Sequence, residues 1–201
     1  MKRFLYIALL CAALLGTHSS QAQSLDDLMK GLSSEPAAKE PAVEVHPATT
    51  ELLGRLRYDA LTIDYKGDST LASLAVATLE SQLPLIAEKA GFVAGRDYLE
   101  VTDDGTMHIV RDGKRATAYC SSYDEQTGRA SIMMQVDEQT IRIVATVIKA
   151  DGGYRVLFDA TELFALMAKH YSKFEENTTL QMAKGVIDAY PGIRVGAVLR
   201  K

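Results

Sequence analysis

Few side chains in this sequence have the type and spacing that chemistry demands. Metal binding would need histidines or cysteines aimed together, but His46, His108 and His170 stand far apart, with no i, i+2 or i, i+4 pair to bring two imidazoles to one ion. Asp103-Asp104-Gly105 begins like a calcium loop, yet the further oxygen ligands at alternating positions are missing and Thr106-Met107-His108 resumes a strand. A tight hairpin accounts for the same residues. Glu175-Glu176 precede Asn177, where negative charge favours a helix dipole, so helix stabilisation is the default over acid-base work. Gly152-Gly153 lie between strands with no helix after them, which leaves no phosphate cradle. Arg111 with Lys114-Arg115 reads as a solvated basic turn, and Cys120 as a small buried hydrophobe rather than a reactive thiol. No catalytic residue, metal or cofactor is implied, and the chain reads as a non-enzyme.

The elements that would position any site are clearest between Tyr98 and Phe158. Turn signals at Asp103-Asp104-Gly105, Asp112-Gly113, Gln126-Thr127-Gly128, Asp137-Glu138 and Asp151-Gly152-Gly153 separate segments rich in β-branched and aromatic residues. They predict an antiparallel meander with strands at 98–102, 106–111, 114–122, 129–136, 139–149 and 153–158. The fifth of these carries Ile141, Ile143, Ala145 and Val147 on one face. Met133 and Met134, as neighbours, point to opposite faces, and core filling is the default for both over a Met-lined pocket.

Before the meander, residues 55–65 alternate in two phases, Leu56 and Tyr58 against Leu61, Ile63 and Tyr65, which predicts a bulge near Ala60 in one long strand. Residues 70–90 follow helical spacing, with Leu71, Leu74, Ala75, Leu79 and Leu83 as the expected buried stripe, Pro84 as a kink or a second start, and Gly91 as a left-handed cap. After the meander, Asp159 is placed to cap a helix carrying Leu163, Leu166, Met167, His170 and Phe174. Asn177 caps another, Pro191-Gly192 stops it, and Ile193, Val195, Ala197 and Leu199 alternate in a last strand. First strand, meander and last strand make eight, the number at which an antiparallel sheet closes into a barrel filled by side chains or holding one small ligand. The fold class is therefore α+β: an eight-stranded antiparallel β-barrel or strongly curved sheet, with helices inserted after the first strand and before the last.

The N-terminus reads as a secretory signal peptide over residues 1–22. Lys2-Arg3 form the basic region, Phe4 to Leu15 the apolar region, too short to span a bilayer, and Ser20-Gln21-Ala22 the cleavage pattern. The mature chain keeps 20 of the 22 basic residues and all 26 acidic ones, a net charge of −6, which disfavours nucleic acid as a partner. It carries no transmembrane segment, and with Cys120 as its one cysteine it can form no internal disulfide. Residues 23–50, with Pro36, Pro41 and Pro47 among Ser, Glu, Ala and Lys, read as a flexible spacer. Within it Leu25, Leu28, Met29 and Leu32 make the stripe of a short amphipathic helix, marginal by itself. Residues 51–201 form the folded domain.

From Leu53-Gly54-Arg55-Leu56-Arg57-Tyr58 onward the domain resembles a family of exported bacterial lipocalin-like domains of unknown function. The likeness continues through Glu88-Lys89-Ala90-Gly91-Phe92, Asp104-Gly105-Thr106, Asp112-Gly113-Lys114, Leu157-Phe158-Asp159-Ala160, Asn177-Thr178-Thr179-Leu180 and Tyr190-Pro191-Gly192-Ile193-Arg194-Val195-Gly196. The resemblance implies a closed lipocalin-like barrel that opens on a Gly-x-Trp strand. Leu56 stands where that tryptophan would be, and the chain has no Trp. It implies no activity, because a fold does not supply one.

Two functions follow as expectations. The first is an exported binding protein, periplasmic, cell-surface or secreted, whose barrel takes a small apolar or amphipathic molecule, with Tyr58, Tyr98, Met107 and Tyr119 as candidate ligand contacts and small residues such as Ala118, Ala145 and Ala197 leaving room. The second is a filled barrel acting as an interaction or scaffold domain for another exported protein.

Overall fold

A computed structural model describes residues 43–89, 91–136, 138–170, 184–185 and 187–201. The expected signal peptide, the amphipathic segment at 24–32, most of the expected spacer, Phe174, Glu175-Glu176 and the Asn177 helix start lie outside them.

Period-two segments separated by turn residues give eight strands: β1 (Gly54–Tyr65), β2 (Tyr98–Val101), β3 (Thr106–Arg111), β4 (Lys114–Asp124), β5 (Arg129–Val136), β6 (Gln139–Ala150), β7 (Gly153–Asp159) and β8 (Ile193–Arg200). Each pairs antiparallel with the next, and β8 pairs with β1, so the barrel is closed. The two phases of the first strand are joined by a register shift between Tyr58 and Ala60. That bulge lets Leu56, Tyr58, Leu61 and Ile63 all bury their side chains in one core. Turn chemistry matches the residues present: at the β3–β4 hairpin both Asp112 and Gly113 take positive φ, the conformation that two-residue hairpins require. Asp104 accepts from the Thr102 hydroxyl (2.6 Å) and the Thr106 amide (2.9 Å) to close the β2–β3 turn.

Among the described residues, three helices with described bounds accompany the strands, α1 (Thr49–Leu52), α2 (Thr70–Lys89) and α3 (Ala160–His170), and residues 184–185 and 187–189 are also helical. Ser69 Oγ caps α2 by accepting from the Ala72 amide, and a left-handed Gly91 closes it while its amide and that of Phe92 reach back to Glu88 and Ala87. Pro84 sits inside one continuous helix rather than starting a second. The buried face of α2 differs from the expected stripe. Ala72, Val76 and Leu83 are buried with Leu79 and Ala87 partly so, whereas Leu71 is 63% exposed. Leu71 lies one step around the helix from the face that meets β1. Asp159 caps α3 as expected, accepting from the Glu162 amide at 3.0 Å, and Leu163, Phe164 and Met167 enter the core.

β2 has four residues and pairs with β1 over Gly54–Arg57, so the rest of β1 has no strand on that side; α2 packs along β1 instead. Strand direction places α2 and α3 at one end of the barrel, with the β3–β4 and β5–β6 turns. The opposite end holds the β2–β3, β4–β5 and β6–β7 hairpins and the entry into β1.

The described part of the expected spacer reaches both ends: Glu44 is bonded where β1 leaves and β8 enters, and residues 45–51 lie at the second end. Val45 O accepts from the Lys149 amide (2.7 Å), His46 Nδ1 meets Val147 O (2.9 Å), and Pro47 is fully buried. Tyr123 donates to Pro47 O and Tyr154 to Glu51 O, so two hydroxyls hold residues 47–51 across the barrel end. Glu44 bonds both Lys66 and Arg194 at 2.7 Å, and Arg194 also reaches Asp64.

Candidate functional site

Paired residues of an antiparallel ladder share a face, so the registers sort every strand residue into barrel interior or outer wall. One interior row runs Val101, Met107, Ala118, Met134 and Ile141 across β2 to β6. A second runs Leu61, Ala197, Val156 and Val147 across β1, β8, β7 and β6, and a third Ile63, Val195, Phe158 and Ala145. These rows are thus apolar, with one alanine in each.

Of the four candidate ligand contacts, the structure places two inside and two outside. Tyr58 belongs to the buried core, and Met107 faces inward among partly buried neighbours. Tyr98 pairs with Arg57 and Val110 on the outer wall, where Arg55 stacks its guanidinium 4.2 Å above the ring. Tyr119 pairs with Met133, also outward, and is 45% exposed. The reason is alternation on β4: Ala116, Ala118 and Cys120 are the inward set, so the bulky Tyr119 between them must point away.

Under the helical end lies a polar cluster that sequence reasoning missed. Asp97, almost fully buried, accepts from the Val93 amide (2.9 Å) and the Asp112 amide (3.2 Å), pinning the loop after α2 to the β3–β4 hairpin. Phe92, carried by that loop, packs against Tyr58 with ring centroids 5.0 Å apart, and Arg111 lays its guanidinium 4.1 Å over Phe92. Arg111 is 9% exposed, which corrects the reading of a solvated basic turn; Arg115 does stay at the surface, near Glu100. The signal for Arg111 was present in its spacing, since it shares the phase of Met107 and Ile109 on β3. The partner ring at Phe92 is far away in sequence and gave none.

The Tyr58 hydroxyl is buried with no partner at hydrogen-bonding geometry among the described residues. Burial pushes its pKa up to about 12, outweighing the approach of the Leu61 backbone. Burial likewise pushes Tyr123 up to about 12, with the Glu125 charge adding to it. Both phenols are neutral donors at physiological pH and unfit as bases. Cys120, half-buried and inward, has its thiol pushed up by burial and points toward Ser122 O at 3.4 Å, the opposite of what a nucleophile needs. Among the described residues no group of three or more His, Cys, Asp or Glu side chains could hold a metal ion, and no helix is long and apolar enough to cross a membrane.

The chemistry on offer is apolar contact. Met107, Met134, Val156, Phe158 and Ala197 all face the barrel interior by register, yet each keeps accessible surface where the core around them is sealed. Val156 and Ala197 lie midway along their strands, away from the rims.

The family model for the lipocalin-like domain DUF4923 matches residues 25–201, and the chain belongs to that family. No curated protein and no solved structure matches it.

Proposed function

We propose that this lipocalin-like domain is an exported, non-enzymatic binding protein that takes a small apolar or amphipathic molecule into its barrel. One observation supports the reading: Met107, Met134, Val156, Phe158 and Ala197, inward by register on β3, β5, β7 and β8, are only partly buried although the barrel around them is closed. An apolar surface open within a barrel is what a ligand would bury, at about 25 cal/mol per Å² removed from water. Tyr58 and Met107 are the proposed contacts from the interior set, joined by Met134 and Phe158; the outward Tyr98 and Tyr119 are left to the wall. Export rests on the leader-like residues 1–22.

The test is native mass spectrometry of the mature chain, purified gently from its own host and compared with the denatured mass. A reproducible adduct lost on denaturation, and weakened by Met107→Asp but not by Tyr119→Asp, is the expected result. A clean apo mass that persists after incubation with host lipid extract overturns the reading in favour of a filled barrel that works through a protein partner.

A further inference from the structure

Among the described residues two tyrosines are buried, Tyr154 and Tyr58, and the chain treats their hydroxyls differently. Tyr154 donates to Glu51 O at 3.1 Å, just as the half-buried Tyr123 donates to Pro47 O at 2.8 Å. Tyr58, 6% exposed, keeps its hydroxyl without a hydrogen-bond partner. Its backbone is satisfied, the amide by Asp97 O and the carbonyl by the Gly95 amide, both at 2.8 Å, so the phenol oxygen alone is left over. A buried donor of this kind costs stability that phenylalanine in the same place would not.

We propose that the Tyr58 hydroxyl is the polar contact for the barrel's ligand, donating to an uncharged acceptor, a ketone, ester or amide carbonyl, on an otherwise apolar molecule. The inference rests on the binding reading above and adds to it the class of head group. Tyr58 belongs to the same core against which the partly buried Met107, Met134, Val156 and Phe158 pack, so the donor and the apolar surface share one cluster. With its pKa pushed up to about 12, chiefly by burial, the phenol keeps its proton and calls for an acceptor. Asp97 is no such acceptor, because its two carboxylate oxygens are taken by the Val93 and Asp112 amides. The charges around the hydroxyl select a neutral head. Asp97 and Asp59 act on it in the same direction as burial and only Arg111 acts against them, so a carboxylate would meet two like charges and lose its own hydration as well.

The experiment titrates the mature chain and its Tyr58→Phe variant with three fluorescent probes. Prodan is a neutral naphthyl ketone whose emission moves to longer wavelength when its carbonyl accepts a hydrogen bond. N-phenyl-1-naphthylamine has no carbonyl, and 1-anilinonaphthalene-8-sulfonate is an anion. The expected result is that Tyr58→Phe lowers the affinity for Prodan about tenfold, the factor that one unpaired buried carbonyl carries. The emission of bound Prodan should also move to shorter wavelength, while the affinity for N-phenyl-1-naphthylamine stays unchanged. Probes that bind both proteins equally overturn the proposal, leaving the hydroxyl to a bound water and the binding reading intact. An equal loss for all three probes overturns it by making Tyr58 a packing residue, and a loss confined to the sulfonate replaces the neutral head with an anionic one. Failure of the unsubstituted chain to bind any probe removes this role together with the barrel reading.

Discussion

Gly196 tests whether the seam between β7, β8 and β1 is as tight as the closed barrel requires. It pairs with Leu157 on one side and Thr62 on the other. A Cβ built there lands against the Val156 carbonyl oxygen, 2.8 Å from its carbon and 3.0 Å from Leu157 Cα, closer than real Cβ atoms approach. All of those atoms are backbone held in the ladder, so Gly196→Ala must push β8 off β7. Because β8 is also paired with β1, it cannot yield outward without loosening the second seam. Clashes of this kind sit in the severe tail of point substitutions, about 3 kcal/mol or more, or a melting temperature lower by about 6–12 °C for a domain of this size. The assay is urea and thermal unfolding followed by circular dichroism, with Gly185→Ala as control. Gly185 is helical with open space around its Cβ, so that change should be neutral or stabilise by up to about 1 kcal/mol. A Gly196→Ala protein within about 1 kcal/mol of the parent would refute the reasoning, since only a strand with a free edge could absorb the methyl so cheaply.

Three further expectations are simpler. Tyr58→Phe removes a buried hydroxyl that lacks a well-placed partner, so stability should hold or rise by about 1 kcal/mol; a loss of more than about 1 kcal/mol in urea unfolding would reveal a bond the geometry does not show. Glu44 is pulled up by burial, but hydrogen bonds from Lys66 and then Arg194 outweigh this and hold its carboxyl below the ordinary 4.5. A depressed carboxyl stabilises fully above its unfolded pKa and loses that contribution as pH falls through the folded value. The Lys149 amide, bonded to Val45 O, should therefore shift in NMR with a midpoint below 4.5, and Glu44→Gln should abolish the titration; a midpoint at or above 4.5 contradicts the pairing. Cys120, its thiol raised by burial, should react with iodoacetamide at neutral pH more slowly in the folded protein than in urea, and equal rates would place it on the surface.

Much of the barrel was legible in the sequence because its information is local. Each hairpin carries its own turn residues, and the alternation around Ile141, Ile143, Ala145 and Val147 needs no knowledge of any other strand to mark a core face. The bulge at Tyr58 and Ala60 was legible for the same reason: two phases of alternation in one strand leave a residue to be absorbed. What failed was the assignment of faces where both sides of an element are apolar. Leu71 sits on a helix whose leucines spread over about half its circumference, so periodicity does not say which part of that arc meets β1. Tyr119 points outward because β4 lines the interior with the small residues Ala116, Ala118 and Cys120, and alternation alone does not say which of the two sets on β4 is the inner one.

The least legible parts are those that hold the two barrel ends, and the reason is sequence distance. Glu44 meets Arg194 across 150 positions, and Tyr154 meets Glu51 O across 103; neither pairing leaves a mark on the residues nearby. Arg111 reads as part of a basic turn, and although its phase on β3 points inward, nothing local shows that the loop carrying Phe92 and Asp97 will fold over it. Such buried polar groups are costly unless each finds its partner, so they serve a barrel best where strands run out and backbone amides are free to be paired, as Asp97 does for Val93 and Asp112. The middle of the barrel carries no such polar lining among the described strand residues of its three mapped rows. Fixed ends flank a middle whose rows are apolar and partly buried, so a molecule taken into the interior as proposed above would be selected by shape and apolar area, with few polar groups to orient it.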